Sequence, residues 1–301
     1  MTEQARCILS VDAGGTFLKA ALVLANGTVA PGTAFKVPVD SSGPLDVIEQ
    51  AYVGVAARGA QMARERGLVL DGIGVSICGP FDFTNGVSGM KHKYQSIYGI
   101  PLRPWFVRGA GDLPVRFVHD STAFMLGETW TGPHAGFRRV CGVMLGTGLG
   151  FGAILDGKPF LNERQGPGII IYNRPYRDGI AEEYVARRGI LARYRQLVPG
   201  APDGFDVLDI GNLADAGDPA AIKVFQDTGI FLAEILHDVI RDYAFECLLM
   251  GGQISRSTSV FKPQLQAGLA DIPALKLIEQ ADRINDAPLL GVARACWYPD
   301  T

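Results

Sequence analysis

No apolar run in this 301-residue chain approaches the ~20 residues that a membrane-spanning helix needs. A basic excess is missing as well. The 28 Lys and Arg are outnumbered by 31 Asp and Glu, leaving a net charge of −3, which speaks against a general nucleic-acid binder. Cysteine is sparse: Cys7, Cys78, Cys141, Cys247 and Cys296 are odd in number, far apart and without a CxxC pair. That excludes a disulfide framework and leads to the expectation of reduced thiols in a cytoplasmic protein. The opening residues, Met1-Thr2-Glu3-Gln4-Ala5-Arg6, lack the apolar core of a signal peptide. What is present is an ordinary globular composition, 48% hydrophobic and 20% charged. At ~150 residues per domain, the length suggests two domains.

The spacing predicts an α/β chain. Cys7–Val11 is a strand candidate that runs into Asp12-Ala13-Gly14-Gly15-Thr16. Leu18 to Ala25 is a second strand, ending at Asn26-Gly27, a strong hairpin signal, with Thr28-Val29 expected to begin the return strand. Asp46 to Arg66 has helical spacing, with Gly67 just past its end, and Ile73–Ile77 is a strand leading into Cys78-Gly79-Pro80. The opening pattern then returns. Val140–Leu145 precedes Gly146-Thr147-Gly148-Leu149-Gly150-Phe151-Gly152, and the strand Ala153–Leu155 ends at Asp156-Gly157. Two such meanders point to a duplicated domain. Ile180 to Val198 reads as one helix with a Glu183–Arg187 pair, and Asp218-Pro219 caps another that reaches about Tyr243. The strand Cys247–Met250 ends at Gly251-Gly252, and Ala287–Trp297 is a closing helix.

Two glycine turns after strands suit a nucleotide held by two backbone cradles, because glycine lets phosphate oxygens approach N–H groups closely. Neither turn is a Walker A loop or a dinucleotide fingerprint. Phosphoryl transfer to an alcohol also calls for a carboxylate to accept the hydroxyl proton. Asp120 sits where Val115–His119 meets Ser121-Thr122-Ala123. At that junction it can be a helix cap or a base. Asp12 has the same ambiguity, its functional role being to hold Mg²⁺ through water.

In this order, Asp12–Thr16, His119 to Glu128, Leu145 through Gly157, Ala216 to Ala221 and Leu249 to Ser255 resemble the motifs of the ROK-family sugar kinases. The resemblance spans nearly the whole chain. It implies an actin-like ATPase fold, α/β, of two ribonuclease-H-like domains with ATP and sugar in a central cleft. The domains would be 1–118 plus 287–301, and 119–286. It implies ATP and Mg²⁺ as cofactors and a hexose or hexose derivative as acceptor, with Asp120 as base. Asp12, Gly14, Gly15, Thr16 and Lys19 would lie at the phosphates, Gly146, Thr147 and Gly148 would form the second phosphate loop, and Gly251 and Gly252 would flank adenosine. Gly79, Pro80, Lys93, His119, Asp120 and Glu182 would face the sugar.

Departures from that pattern concern the acceptor. The zinc segment of the family is absent: Arg164-Gln165-Gly166-Pro167-Gly168 stands in its place, so no zinc site is expected. His119 and Lys93 replace asparagines. Lys93 therefore either pairs with Glu182 or, with His119, recognises an acceptor other than plain glucose. His92 and His134 read as loop or surface histidines. Arg187, Arg188, Arg193 and Arg195 read as a solvated helix face, and Trp105, Trp130 and Trp297 as packing residues. The competing readings are a sugar-responsive regulator and a sugar-binding protein without catalysis. The chain has no room for a DNA-binding segment ahead of Asp12, and Asp120 is retained with both turns, so the expectation is a kinase without nucleic-acid or membrane partners. Polyphosphate stays open as donor, and a homodimer is compatible with the sequence.

Overall fold

The computed structural model describes residues 4–91 and 93–299; His92 lies outside them. The chain divides into two compact units. One comprises 1–136, 158–168 and 285–301, the other 137–157 and 169–284.

In the first unit, β1 (Arg6–Ala13) pairs antiparallel with β2 (Phe17–Leu24) and parallel with β4 (Val69–Ile77). With β3 (Phe35–Pro38) and β5 (Val115–His119), the order is β3-β2-β1-β4-β5. The return strand expected from Thr28 is only a Val23–Val29 bridge, and β3 begins later. Pro31 has no amide to pair and Gly32 takes φ +67°, so the ladder stops between them. Helix α1 (Leu45–Glu65) buries Ile48, Tyr52 and Val55 on the face of the sheet that Leu9 and Val11 share. It ends in a Schellman motif, in which Gly67 N–H donates to Arg64 O and Leu68 N–H to Ala63 O. Beside α1 packs α2 (Arg103–Ala110), where Trp105 meets Tyr52 at 5.7 Å. The opposite face, with Ile8, is covered by the last helix, α9 (Ala287–Trp297), through Leu290 and Ala293. Helix α3 (Asp120–Glu128) packs on α9, and that contact places residues 119–136 with the first unit rather than beyond a boundary at 118. His134 is buried here against Glu128, 3.4 Å away, contrary to the expected surface position.

The second unit repeats the scheme. β6 (Val140–Leu145) pairs antiparallel with β7 (Leu149–Leu155) and parallel with β8 (Cys247–Gly251), which pairs parallel with β9 (Leu277–Gln280). Gly150 and Gly152 thus belong to a strand, and the turn is only Gly146–Gly148. Asp156 and Gly157 both take positive φ, as a type I′ turn requires. Helix α7 (Pro219–Asp242) is capped by Asp218, whose carboxylate accepts from Ala221 N–H at 2.8 Å, an interaction of ~1 kcal/mol. Its buried Leu232, Leu236 and Ile240 contribute to the core. It packs on α8 (Thr258–Gly268), α5 (Arg187–Leu197) and α6 (Val207–Asp215).

The single helix expected over Ile180–Val198 is two, α4 (Ala181–Val185) and α5, broken at the extended Ala186. The Arg187 amide donates to Gly146 O at 3.0 Å instead of continuing the helix. The Glu183–Arg187 pair is not formed either. Glu183 accepts from Ile180 N–H, and Arg187 bonds Asp206. Arg193 is no solvated residue. It donates to Thr228 Oγ1 and the Tyr184 carbonyl, and burial lowers its pKa to about 10.

Candidate active site

In the first unit, the parallel strands β1, β4 and β5 bring three chain segments to one edge. Ala13 pairs with Ile77 and Ile77 with His119, so Asp12, Cys78-Gly79-Pro80 and His119-Asp120 end up as neighbours. Asp120 opens α3, but His119, with extended backbone, occupies the cap position. Asp120 Oδ1 accepts from Ser121 N–H at 2.7 Å and lies 2.9 Å from His119 Nδ1. His119 Nδ1 also accepts from Ser121 N–H at 3.2 Å and lies 2.8 Å from Ser121 Oγ, so the imidazole, the amide and the Asp120 Oδ1 form one cluster at the start of α3. Capping and base functions therefore fall on different oxygens: Oδ1 holds the helix start, and Oδ2 is left to receive a proton. Burial opposes the charged form of Asp120. The His119 contact, the Ser121 amide and the Lys93 charge outweigh it and hold the carboxyl below its ordinary value, so it is ionised at neutral pH. The carboxylate is still 48% exposed and open to a ligand. His119 packs edge-on to Phe83, and a Cβ built at Gly79 would meet the His119 ring at 3.5 Å.

Asp12 titrates the other way. Burial pushes its carboxyl up, as does the Asp120 charge, while Lys19 at 3.9 Å, the Ser76 hydroxyl at 3.1 Å and Lys93 pull it down. A hydrated divalent cation would relieve that burial cost. One hard carboxylate is what Mg²⁺ takes from a protein when phosphates supply the rest, so Asp12 fits the ion.

Gly14 donates to Phe17 O at 3.1 Å, and a Cβ there would stand 2.8 Å from that oxygen, so only glycine fits. The Gly15 and Thr16 amides donate to no group among the described residues, which leaves them for an anion. Tyr94 O–H donates to the Gly14 carbonyl, and Ser41 bridges Tyr94 and Gly15 through its backbone, at 2.9 Å and 3.0 Å. The segment carrying Lys93 is thereby tied to the first glycine turn. Lys93 Nζ lies 4.0 Å from Cys78 Sγ, whose thiol is raised by burial and so protonated at neutral pH.

The second unit has a glycine turn of its own. Gly146 N–H bonds Gly148 O, and Thr147 is exposed at the tip. Glu182 braces this turn. Its Oε2 accepts from Leu149 N–H at 2.8 Å and fills the space a Gly148 side chain would need. Gly252, with φ +81°, has its Cα so near Leu145 that a Cβ would lie 2.2 Å from the Leu145 carbonyl oxygen. The Gly251-Gly252 turn therefore abuts the strand that leads into Gly146. Sequence reasoning missed the roles of Tyr94 and Ser41, because no local spacing reveals contacts made across the fold.

The ROK family pattern matches residues 8–297. Glucokinase of Thermotoga maritima is 24% identical, over 95% of this chain and 96% of its own length. The crystal structure of a ROK-family glucokinase from Streptomyces griseus in complex with glucose and AMPPNP superposes with a TM-score of 0.77 at 22% identity, covering 95% of this chain and 98% of that one. A ROK-family transcriptional regulator, homologous to the E. coli MLC protein, superposes with a TM-score of 0.81 at 21% identity, covering 97% of this chain and 78% of its own. The fold is thus the actin-like ATPase fold. This chain belongs to the ROK family.

Proposed function

We propose that the protein is an ATP-dependent sugar kinase that phosphorylates a hydroxyl of a hexose or hexose derivative. The observation that carries this reading is the Asp120 carboxylate, ionised, with Oδ2 unengaged among the described residues, in the same cluster as Asp12 and the first glycine turn. Asp120 Oδ2 takes the proton as the acceptor hydroxyl attacks, while the Ser121 amide and the neighbouring His119 imidazole keep the carboxylate oriented through Oδ1. The Gly15 and Thr16 amides bind phosphate oxygens from the first unit. Gly146–Gly148 is the second phosphate turn of this reading, and Gly251-Gly252 its adenosine turn. Mg²⁺ on the nucleotide, held through water by Asp12, would supply charge neutralisation at the phosphates. Gly79 and Pro80 line the acceptor side with His119.

A sugar-responsive regulator is the second reading, favoured by the close superposition on the MLC-like protein. Incubation with Mg·ATP and a panel of hexoses, N-acetylhexosamines and acidic sugars, following ADP release, separates the two. Sugar-dependent ADP release is expected. Sugar binding without turnover of ATP, or of polyphosphate offered in its place, would overturn the kinase reading.

A further inference from the structure

We propose that Lys93 is a catalytic residue whose ammonium binds the γ-phosphoryl group of the donor at the first glycine turn, a role that rests on the kinase reading above. The Lys93 side chain lies across Gly15: an ideal Cβ built there would be 2.9 Å from Lys93 Cε and 3.5 Å from Nζ. This placement is fixed from behind by Tyr94 on the Gly14 carbonyl and by Ser41 on Tyr94 and Gly15. The side chain is half-buried, yet no carboxylate among the described residues comes within 4.0 Å of the ammonium. Among the described residues its contacts are the Cys78 thiol at 4.0 Å, a poor acceptor, and the Tyr94 ring at 6.0 Å. An ammonium that lies over the glycine turn without a carboxylate partner is placed to meet an anion bound at that turn.

The position tells which anion. Asp12 and Asp120 both feel the Lys93 charge, so it stands on the reacting side of the cluster, next to the turn with unengaged amides. In the transfer, the acceptor oxygen bonds to the γ-phosphorus and the bond from that phosphorus to the β,γ-bridging oxygen breaks. ADP keeps the electron pair, and the hydroxyl proton goes to Asp120. Lys93 gives up no proton; it compensates charge on the equatorial oxygens as they move.

Titration calorimetry of Mg·AMPPNP against Mg·ADP tests this without depending on the acceptor. In Lys93→Gln, AMPPNP should bind about tenfold or more weakly, the size of one charged hydrogen bond, while ADP changes less than about twofold. Lys93→Met, which keeps the aliphatic stem, should behave alike, and Lys93→Arg should recover part of the difference. With the sugar that the panel identifies, kcat should fall on the order of 10²-fold with little change in acceptor KM. Equal weakening of both nucleotides would reduce Lys93 to a structural role. Unchanged AMPPNP binding with a raised acceptor KM would assign it to the sugar. Binding of neither nucleotide by the wild-type protein would overturn the kinase reading and this role with it.

Discussion

Asp120 divides its work between two oxygens, and substitution can separate them. Asp120→Asn keeps an oxygen to accept from Ser121 N–H, so the start of α3 and the melting temperature should hold. It removes the base, and kcat should fall by about 10²–10⁴-fold; activity within a few-fold of wild type would show that another group takes the proton. The pH profile follows from the direction of the shift. The folded carboxyl lies below its unfolded value, so the ionised form is favoured by the fold above the unfolded pKa, and this is lost as pH falls through the folded one. The acid limb due to Asp120 should therefore lie below the ordinary carboxylate value of ~3.9, leaving the rate flat in this group from about pH 5 to 8. A limb near neutrality that disappears in Asp120→Asn would contradict it. At this scale the sequence is informative where function sits at a junction: a strand, an acid and a helix start place Asp120 without any structure. Lys93 is different. Register alone puts it at the sugar, and only the Tyr94 and Ser41 contacts show that its segment folds onto the glycine turn.

The element that carries Asp120 is seated by two glycines. At Gly291 of α9 a Cβ would lie 1.7 Å from Ala123 O in α3, and at Gly127 of α3 one would lie 2.0 Å from Ala287 O. These helices touch backbone to backbone, and neither carbonyl can move without its helix. Gly291→Ala should therefore destabilise by ~3 kcal/mol, the upper end of the usual overpacking cost. Gly54 is the control, exposed within α1 with nothing inside 4 Å of its Cβ. Gly54→Ala should gain ~0.5–1 kcal/mol, the helical penalty of glycine. Urea midpoints measure both, and a Gly291→Ala midpoint equal to wild type would refute the close seating. Elements that end on local chemistry are legible in the sequence, as with Gly67 after α1 and Asp218-Pro219 before α7. The break at Ala186 is not legible, because its cause is the Gly146 carbonyl, distant in sequence, which takes the Arg187 amide.

Across the whole molecule, the repeat of strand, glycine turn and strand corresponds to two sheets of matching order, each with an antiparallel partner on one side of its first strand and parallel partners on the other. That much follows from periodicity and turn chemistry, whereas the limits of the units depend on which helix packs where. In the second unit, the short hairpin of Pro175–Tyr176 and Gly179–Ile180 is held by cationic and aromatic contacts. Arg177 stands 4.2 Å over the Phe231 ring and 5.2 Å from that of Tyr176, and pairs with Glu234 at 3.2 Å. Tyr176 and Tyr184 pack edge to face at 4.9 Å, and Tyr184 meets Phe231 at 5.7 Å. A partly exposed cation on aromatic faces contributes about 0.5–1 kcal/mol per contact, so several together can order a short hairpin. A tetrahedral zinc site would need four Cys, His or carboxylate ligands, and Arg164 to Tyr184 holds neither Cys nor His. Purified protein is therefore expected to carry no stoichiometric zinc, and a zinc-selective chelator should leave its melting temperature and turnover unchanged. Arg177→Ala, by contrast, should lower the melting temperature by a few degrees, about what the loss of 1 kcal/mol does at this size. One tightly bound zinc per chain in elemental analysis, with unfolding on its removal, would show that a metal and not Arg177 orders this segment.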